Sequence, residues 1–158
     1  MQLNFDNRGG IRRMYAIPAR DILRIRNNWS LGNITPELKR RDRIVELPFY
    51  AGDTYNFREE HSVTEDGDRY AICITGIMPS KYVDAGTIET LRQGEWLVLH
   101  QDSIGRIRLS GTQLVPLRFS SISDSGTCPA DINGESFTFA ATESEPSAEC
   151  YIADISNI

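Results

Sequence analysis

Few residues in this chain have side chains suited to acid–base, nucleophilic or metal chemistry, and their spacing argues against all three. His61 follows Glu59 and Glu60, with Asp53 upstream, a set that a divalent ion or an acid–base pair would need. Adjacent side chains on an extended segment point to opposite faces, so only Glu59 and His61 converge. His100 follows Trp96 and Val98 on one strand face, which predicts a histidine at the edge of the core rather than a general base. Cys73, Cys128 and Cys150 are widely spaced, with no CxxC pair and no flanking histidine. Cys73 sits in an apolar run and is expected to be a buried thiol, and the other two are expected to be unpaired. The chain lacks a GxSxG turn, a glycine-rich phosphate loop and a histidine ligand triad. The expectation is a non-enzymatic protein with no catalytic, cofactor-binding or metal-binding residue, and with no small-molecule substrate.

Charge is distributed unevenly. Residues 1–45 hold ten basic and four acidic side chains, a formal +6, whereas the remainder holds seven and eighteen, a formal −11. Such asymmetry suits a charged partner, either nucleic acid or an acidic neighbour of the same kind. The alternative is two solvated faces whose charges interleave on folding. The densest basic run, Lys39, Arg40, Arg41 and Arg43 around Asp42, supplies the candidate self-assembly contacts, Lys39 among them. A nucleic-acid surface would pair such residues with stacking aromatics, and only Trp29 is near in sequence. A carbohydrate site would draw on Trp29, Trp96, Tyr55 and Tyr82.

The elements that must carry these side chains read as short strands. Ile11–Ile17, Ile22–Ile25 and Ile44–Tyr50 are strand-like, the last near an edge because of Pro48. Residues 27–43 are turn-rich and polar and are expected to form one long exposed loop. Glu65-Asp66-Gly67-Asp68 is a turn, followed by Arg69–Met78, whose two apolar faces predict a central strand. Asp84–Gln93 reads as the one helix, with Asp84 as its cap, Ile88 and Leu91 on a buried stripe and Gly94 at its end. Glu95–Gln101 and Arg106–Gly111 make a hairpin around Asp102-Ser103-Ile104-Gly105. Val115–Ser120, Ser136–Thr142 and Ala148–Ile155 follow as strands. The whole predicts a single mainly β domain over residues 1–158, an antiparallel β-sandwich or barrel of about eight to nine strands with one flanking α-helix.

No apolar run approaches the roughly 20 residues of a membrane-crossing helix. The start, Met1 to Asp6, lacks the basic and apolar regions of a secretory signal, so the expected site of synthesis and folding is the cytoplasm.

One stretch carries a resemblance. Gly94-Glu95-Trp96-Leu97-Val98-Leu99-His100-Gln101-Asp102-Ser103-Ile104-Gly105-Arg106-Ile107-Arg108-Leu109-Ser110-Gly111-Thr112, then Pro116-Leu117-Arg118-Phe119 and Asn133-Gly134, resembles phage tail-tube-like virion structural proteins of Bacteroidales-type prophages. The shared features are a Trp-bearing strand, an Asp-x-x-Gly turn, a return strand and a later Asn-Gly turn, over about a third of the chain. The resemblance implies a tail-tube fold and a subunit that self-assembles into homo-oligomeric rings, stacked around a channel. It implies as partners copies of the chain, other virion proteins and the DNA passing through, with assembly in the bacterial host cytoplasm before incorporation into the virion. A head-tail connector fits the same features. The competing reading is a non-catalytic binding module, a carbohydrate- or nucleic-acid-binding β-sandwich.

Overall fold

The run Trp96-Leu97-Val98-Leu99 has no polar residue to turn toward water, so a strand built on it must be covered on both faces. In the structure, a computed structural model that describes residues 9–48, 55–128, 131 and 133–152, it is. Strand β7 (Glu95–Asp102) pairs along one edge with β1 (Ile11–Pro18), in register from Pro18 opposite Trp96 to Arg13 opposite Gln101, with a bulge before Ile11 meets Asp102. Its other edge is shared by β8 (Ile107–Ser110) and the start of β9 (Leu117–Asp124). Strand β9 then leaves β7 to pair with β10 (Gly134–Ser144), which pairs with β6 (Gly67–Pro79), which pairs with β5 (Asn56–Thr64). Short β4 (Val45–Leu47) lies outside β1, and two-residue β11 (Ala148–Glu149) adds to β8. The result is a nine-stranded antiparallel sheet folded on itself, sandwich-like and not a closed barrel.

Three layers follow from side-chain alternation. The inner faces of β1 and β7, with Met14, Ala16, Trp96 and Val98, meet Ile72, Ile74, Phe119, Phe137 and Phe139 of the β5–β6–β10–β9 half. Three phenylalanines stack edge-to-face and parallel at centroid distances of 5.0–6.1 Å, which fills the space between the halves. The other faces of β1 and β7, with Tyr15, Ile17, Leu97 and Leu99, form a second core with Ile22, Leu109 and Cys150. Its cover is a separate hairpin, β2 (Ile22–Asn28) and β3 (Asn33–Leu38). The helix α1 (Ala85–Gln93) buries Ile88 and Leu91 against the first core, and the Asp84 carboxylate accepts from the Thr87 N–H at 2.7 Å.

The hairpin corrects the expected loop over 27–43. Ile34, Pro36 and Leu38 alternate along β3, and Pro36 is tolerated because β3 is an edge strand. Two other expectations change. Strand β6 is interior, between β5 and β10, but only its Ile72–Ile74–Met78 face is buried, while Ala71, Cys73, Thr75 and Ile77 are half-buried on an open face. Cys73 is therefore not a core thiol. The last strand is two residues long: the Cys150 N–H still bonds the Ile107 carbonyl of β8, but Cys150 then bridges Ile34 of β3, whose carbonyl accepts from the Tyr151 N–H. The parts of the expected strands at Phe49–Tyr50 and Ala153–Ile155 lie outside the described residues.

Packing is tight enough to exclude a methyl group at Gly76, where an added Cβ would lie 2.2 Å from the Tyr55 ring and 2.9 Å from Phe137. Ile72 is 1% exposed in the same core. Replacing Ile72 with Ala should cost about 2–5 kcal/mol in urea unfolding through lost burial and the cavity left behind. A loss under about 1 kcal/mol would contradict the packing described for the β6 inner face.

Candidate assembly surfaces

The basic segment is built on a hairpin whose base is fixed. The Lys39 N–H donates to the Asp21 carbonyl at 2.7 Å, the Gln113 amide donates to the Ile22 carbonyl at 2.6 Å, and the Tyr151 N–H donates to the Ile34 carbonyl at 2.8 Å. Between Arg20 and Arg43 the chain carries seven basic and three acidic side chains. Arg24 and Arg26 both pair with Glu37, Arg40 pairs with Asp42, and Arg43 lies 3.6 Å from buried Asp21. Lys39, Arg40 and Arg41 are exposed at the base of the hairpin. Trp29 is exposed at its tip, six strand residues away, roughly 20 Å along the strand. The aromatic and the basic run are thus at opposite ends, which removes the pairing that a single-strand nucleic-acid surface needs.

The acidic counterpart is a second hairpin in the other half of the sandwich. Strands β5 and β6 stay paired out to Thr64 opposite Gly67, closed by the two residues Glu65 and Asp66. From Glu60 to Arg69 every residue is exposed except half-buried Thr64, so this part projects beyond the core as an arm. It carries four carboxylates and one arginine. Its polar contacts, the Arg58–Glu60 and Arg69–Glu143 ion pairs at 2.9 and 3.2 Å and the His61–Asp68 hydrogen bond at 3.0 Å, stay within its own half, as the ion pairs of Arg24, Arg26, Arg40 and Arg43 stay within theirs.

The residues singled out for chemistry are dispersed. Glu59 turns away from His61 to accept the Ser147 N–H at 2.7 Å, and His61 stacks on Tyr70 with centroids 4.8 Å apart. Asp53 lies outside the described residues. Among the described residues no group of three His, Cys, Asp or Glu side chains could hold a metal ion. His100 is 3% exposed, shares a 3.1 Å hydrogen bond with Ser110 and lies against Phe57, as a core-edge histidine would. Of the four aromatics considered for a sugar site, Trp96 and Tyr55 are in the core and only Trp29 and Tyr82 are exposed. Cys128 is exposed and free, and burial pushes the free Cys150 thiol up to about 12. A cleft of about 690 Å³ beside the end of α1 holds Arg20, Arg43 and Arg118, but Asp21 and Glu95 face the last two. The core-edge position of His100 was legible from spacing, but the arm and the hairpin were not, since they become surfaces only once the halves fold together.

No family model, curated protein or solved structure matches the chain.

Burial, with a smaller contribution from the nearby Arg108 charge, holds His100 down at about 4. Its folded value lies below the ordinary 6.5, so the stability it contributes is present above pH 6.5 and is lost as pH falls toward 4. That loss should be on the order of 3 kcal/mol. Urea unfolding from pH 7 to pH 4 should therefore show wild type losing more stability than His100→Gln by about that amount. Parallel pH profiles would contradict a buried neutral histidine.

Proposed function

We propose that the protein is a virion structural subunit, of the tail-tube or head-tail connector type, that self-assembles into rings. The observation that carries this reading is an exposed basic run at the base of the β2–β3 hairpin and a projecting acidic β5–β6 arm, on different halves of one sandwich. A patch that complements a different patch on the same molecule makes a heterologous contact, and such contacts close into rings when the rotation allows. The partners are copies of the chain, other virion proteins and DNA in the channel that a ring would enclose. Assembly would take place in the bacterial host cytoplasm, and the subunit would end in the virion.

The test reverses Lys39, Arg40 and Arg41 to Glu and leaves Arg43, whose loss would strand the buried Asp21 carboxylate. The triple variant should melt like wild type and shift to smaller species in light scattering. Raising salt from 0.15 M to 1 M, which shortens the screening length from about 8 Å to about 3 Å, should do the same to wild type. A variant that keeps its oligomeric state but loses salt-sensitive DNA or RNA binding would replace the assembly reading with the nucleic-acid one. No change in either property would leave the charges as two solvated faces and sink the proposal.

A further inference from the structure

The β2–β3 tip exposes a large apolar surface on a rigid support. Trp29 is 87% exposed and Leu31 69%. The loop that presents them is held from within: the Asn28 carbonyl accepts from the Leu31 and Gly32 N–H groups, both at 3.0 Å. The Asn28 side-chain amide donates to Asn33 at 2.9 Å and to Thr35 at 3.1 Å. Gly32 takes the left-handed φ of 67° that closes the turn. A loop backbone already held in place loses little freedom on binding, and tryptophan is enriched among the residues that dominate interface energy.

A receptor of suitable chemistry exists on the same chain. Among the described residues no further layer lies on the outer face of β6, β10 and β9, which holds a groove of about 620 Å³ walled by Ile77 and the 72% exposed Ile122, with Ser and Thr hydroxyls between. One exposed carboxylate, Asp124, stands two residues beyond Ile122 on that face, while on β5 Glu60 is farther along and paired with Arg58. Asp124 complements Arg24 and Arg26, which share the single Glu37 carboxylate and have side chains 65% and 58% exposed along the hairpin. The hairpin covers one outer face of the sandwich and the groove opens on the opposite one, so a single molecule cannot join them.

We infer that Trp29 and Leu31 of one copy seat in the Ile77–Ile122 groove of the next. This contact rests on the assembly reading and specifies it, because knob and groove on opposite faces link copies head to tail. Sedimentation velocity tests it with Trp29→Ser and Ile122→Glu, each checked by thermal melting for an intact fold. Either change should weaken self-association about 30-fold or more. Each variant keeps the half that the other lacks, so an equimolar mixture should form a dimer and grow no further. Tryptophan emission should shift to the blue as wild type assembles, and the shift should vanish in Trp29→Ser, since the other tryptophan, Trp96, is already 2% exposed. Wild type that stays monomeric at about 1 mM overturns the assembly reading itself. Assembly that is indifferent to both variants, or a mixture that stays monomeric, overturns this contact alone. Monomers that bind phosphatidylcholine–phosphatidylserine vesicles through Trp29 would overturn it in favour of a membrane surface.

Discussion

The ladder between β1 and β7 is the constraint on which the rest depends. Both strands are buried on both faces, so the chain has to supply two covers and not one. One cover is the second half of the same sheet, reached because β9 abandons β7 after Trp96 and Glu95 and turns to pair with β10. The other is the β2–β3 hairpin, delivered directly from the end of β1 through a short 3-10 turn. At about 25 cal/mol per Å² of apolar surface, an uncovered face of Tyr15, Ile17, Leu97 and Leu99 would cost several kcal/mol. The hairpin is thus a structural necessity before it is a functional element.

This arrangement separates charge in space. Because the hairpin must lie over the second core, its arginines are carried to one outer face. The β5–β6 arm begins on the far side, where β5 is the last strand of the path and no described strand pairs with its outer edge. An open edge invites further strands, and charged side chains are a common protection against that. Arg58, Glu59 and Glu60 on β5 serve this role whatever else the arm does. Local pairs such as Arg58–Glu60 at 2.9 Å are exposed and contribute little to stability, so the acidic character of the arm is available to a partner.

Buried polar groups show how the core tolerates its exceptions. The Trp96 indole donates to the Leu91 carbonyl at 2.9 Å, which also accepts from the Gly94 N–H at 3.4 Å, and so joins the end of α1 to the start of β7. The same indole occupies the space beside Gly94, where a Cβ would lie 2.5 Å from the ring. A helix, a tight turn and the central strand are therefore fixed together by one tryptophan. His100 at the other end of the strand is neutral and bonded to Ser110.

Local patterns determined much of this protein before folding is considered. The helix with its Asp84 cap, the Asp102–Gly105 turn, the Glu65–Asp66 reversal and the mainly β class all follow from hydrogen bonds and dihedral preferences within a few residues, and the structure places each where the sequence indicates. Periodicity misjudged what depends on distant partners. The alternation of Ile34, Pro36 and Leu38 was concealed by a proline that only an edge strand accepts. The apolar side chains on the second face of β6 gave no sign that they would stay only half-buried. Which charges share a face, and that Trp29 stands alone at a rigid tip while Trp96 is enclosed, were decided by tertiary structure. The physical reason is that burial is a property of contacts between segments far apart in the chain, and no local spacing encodes which segment arrives to cover another.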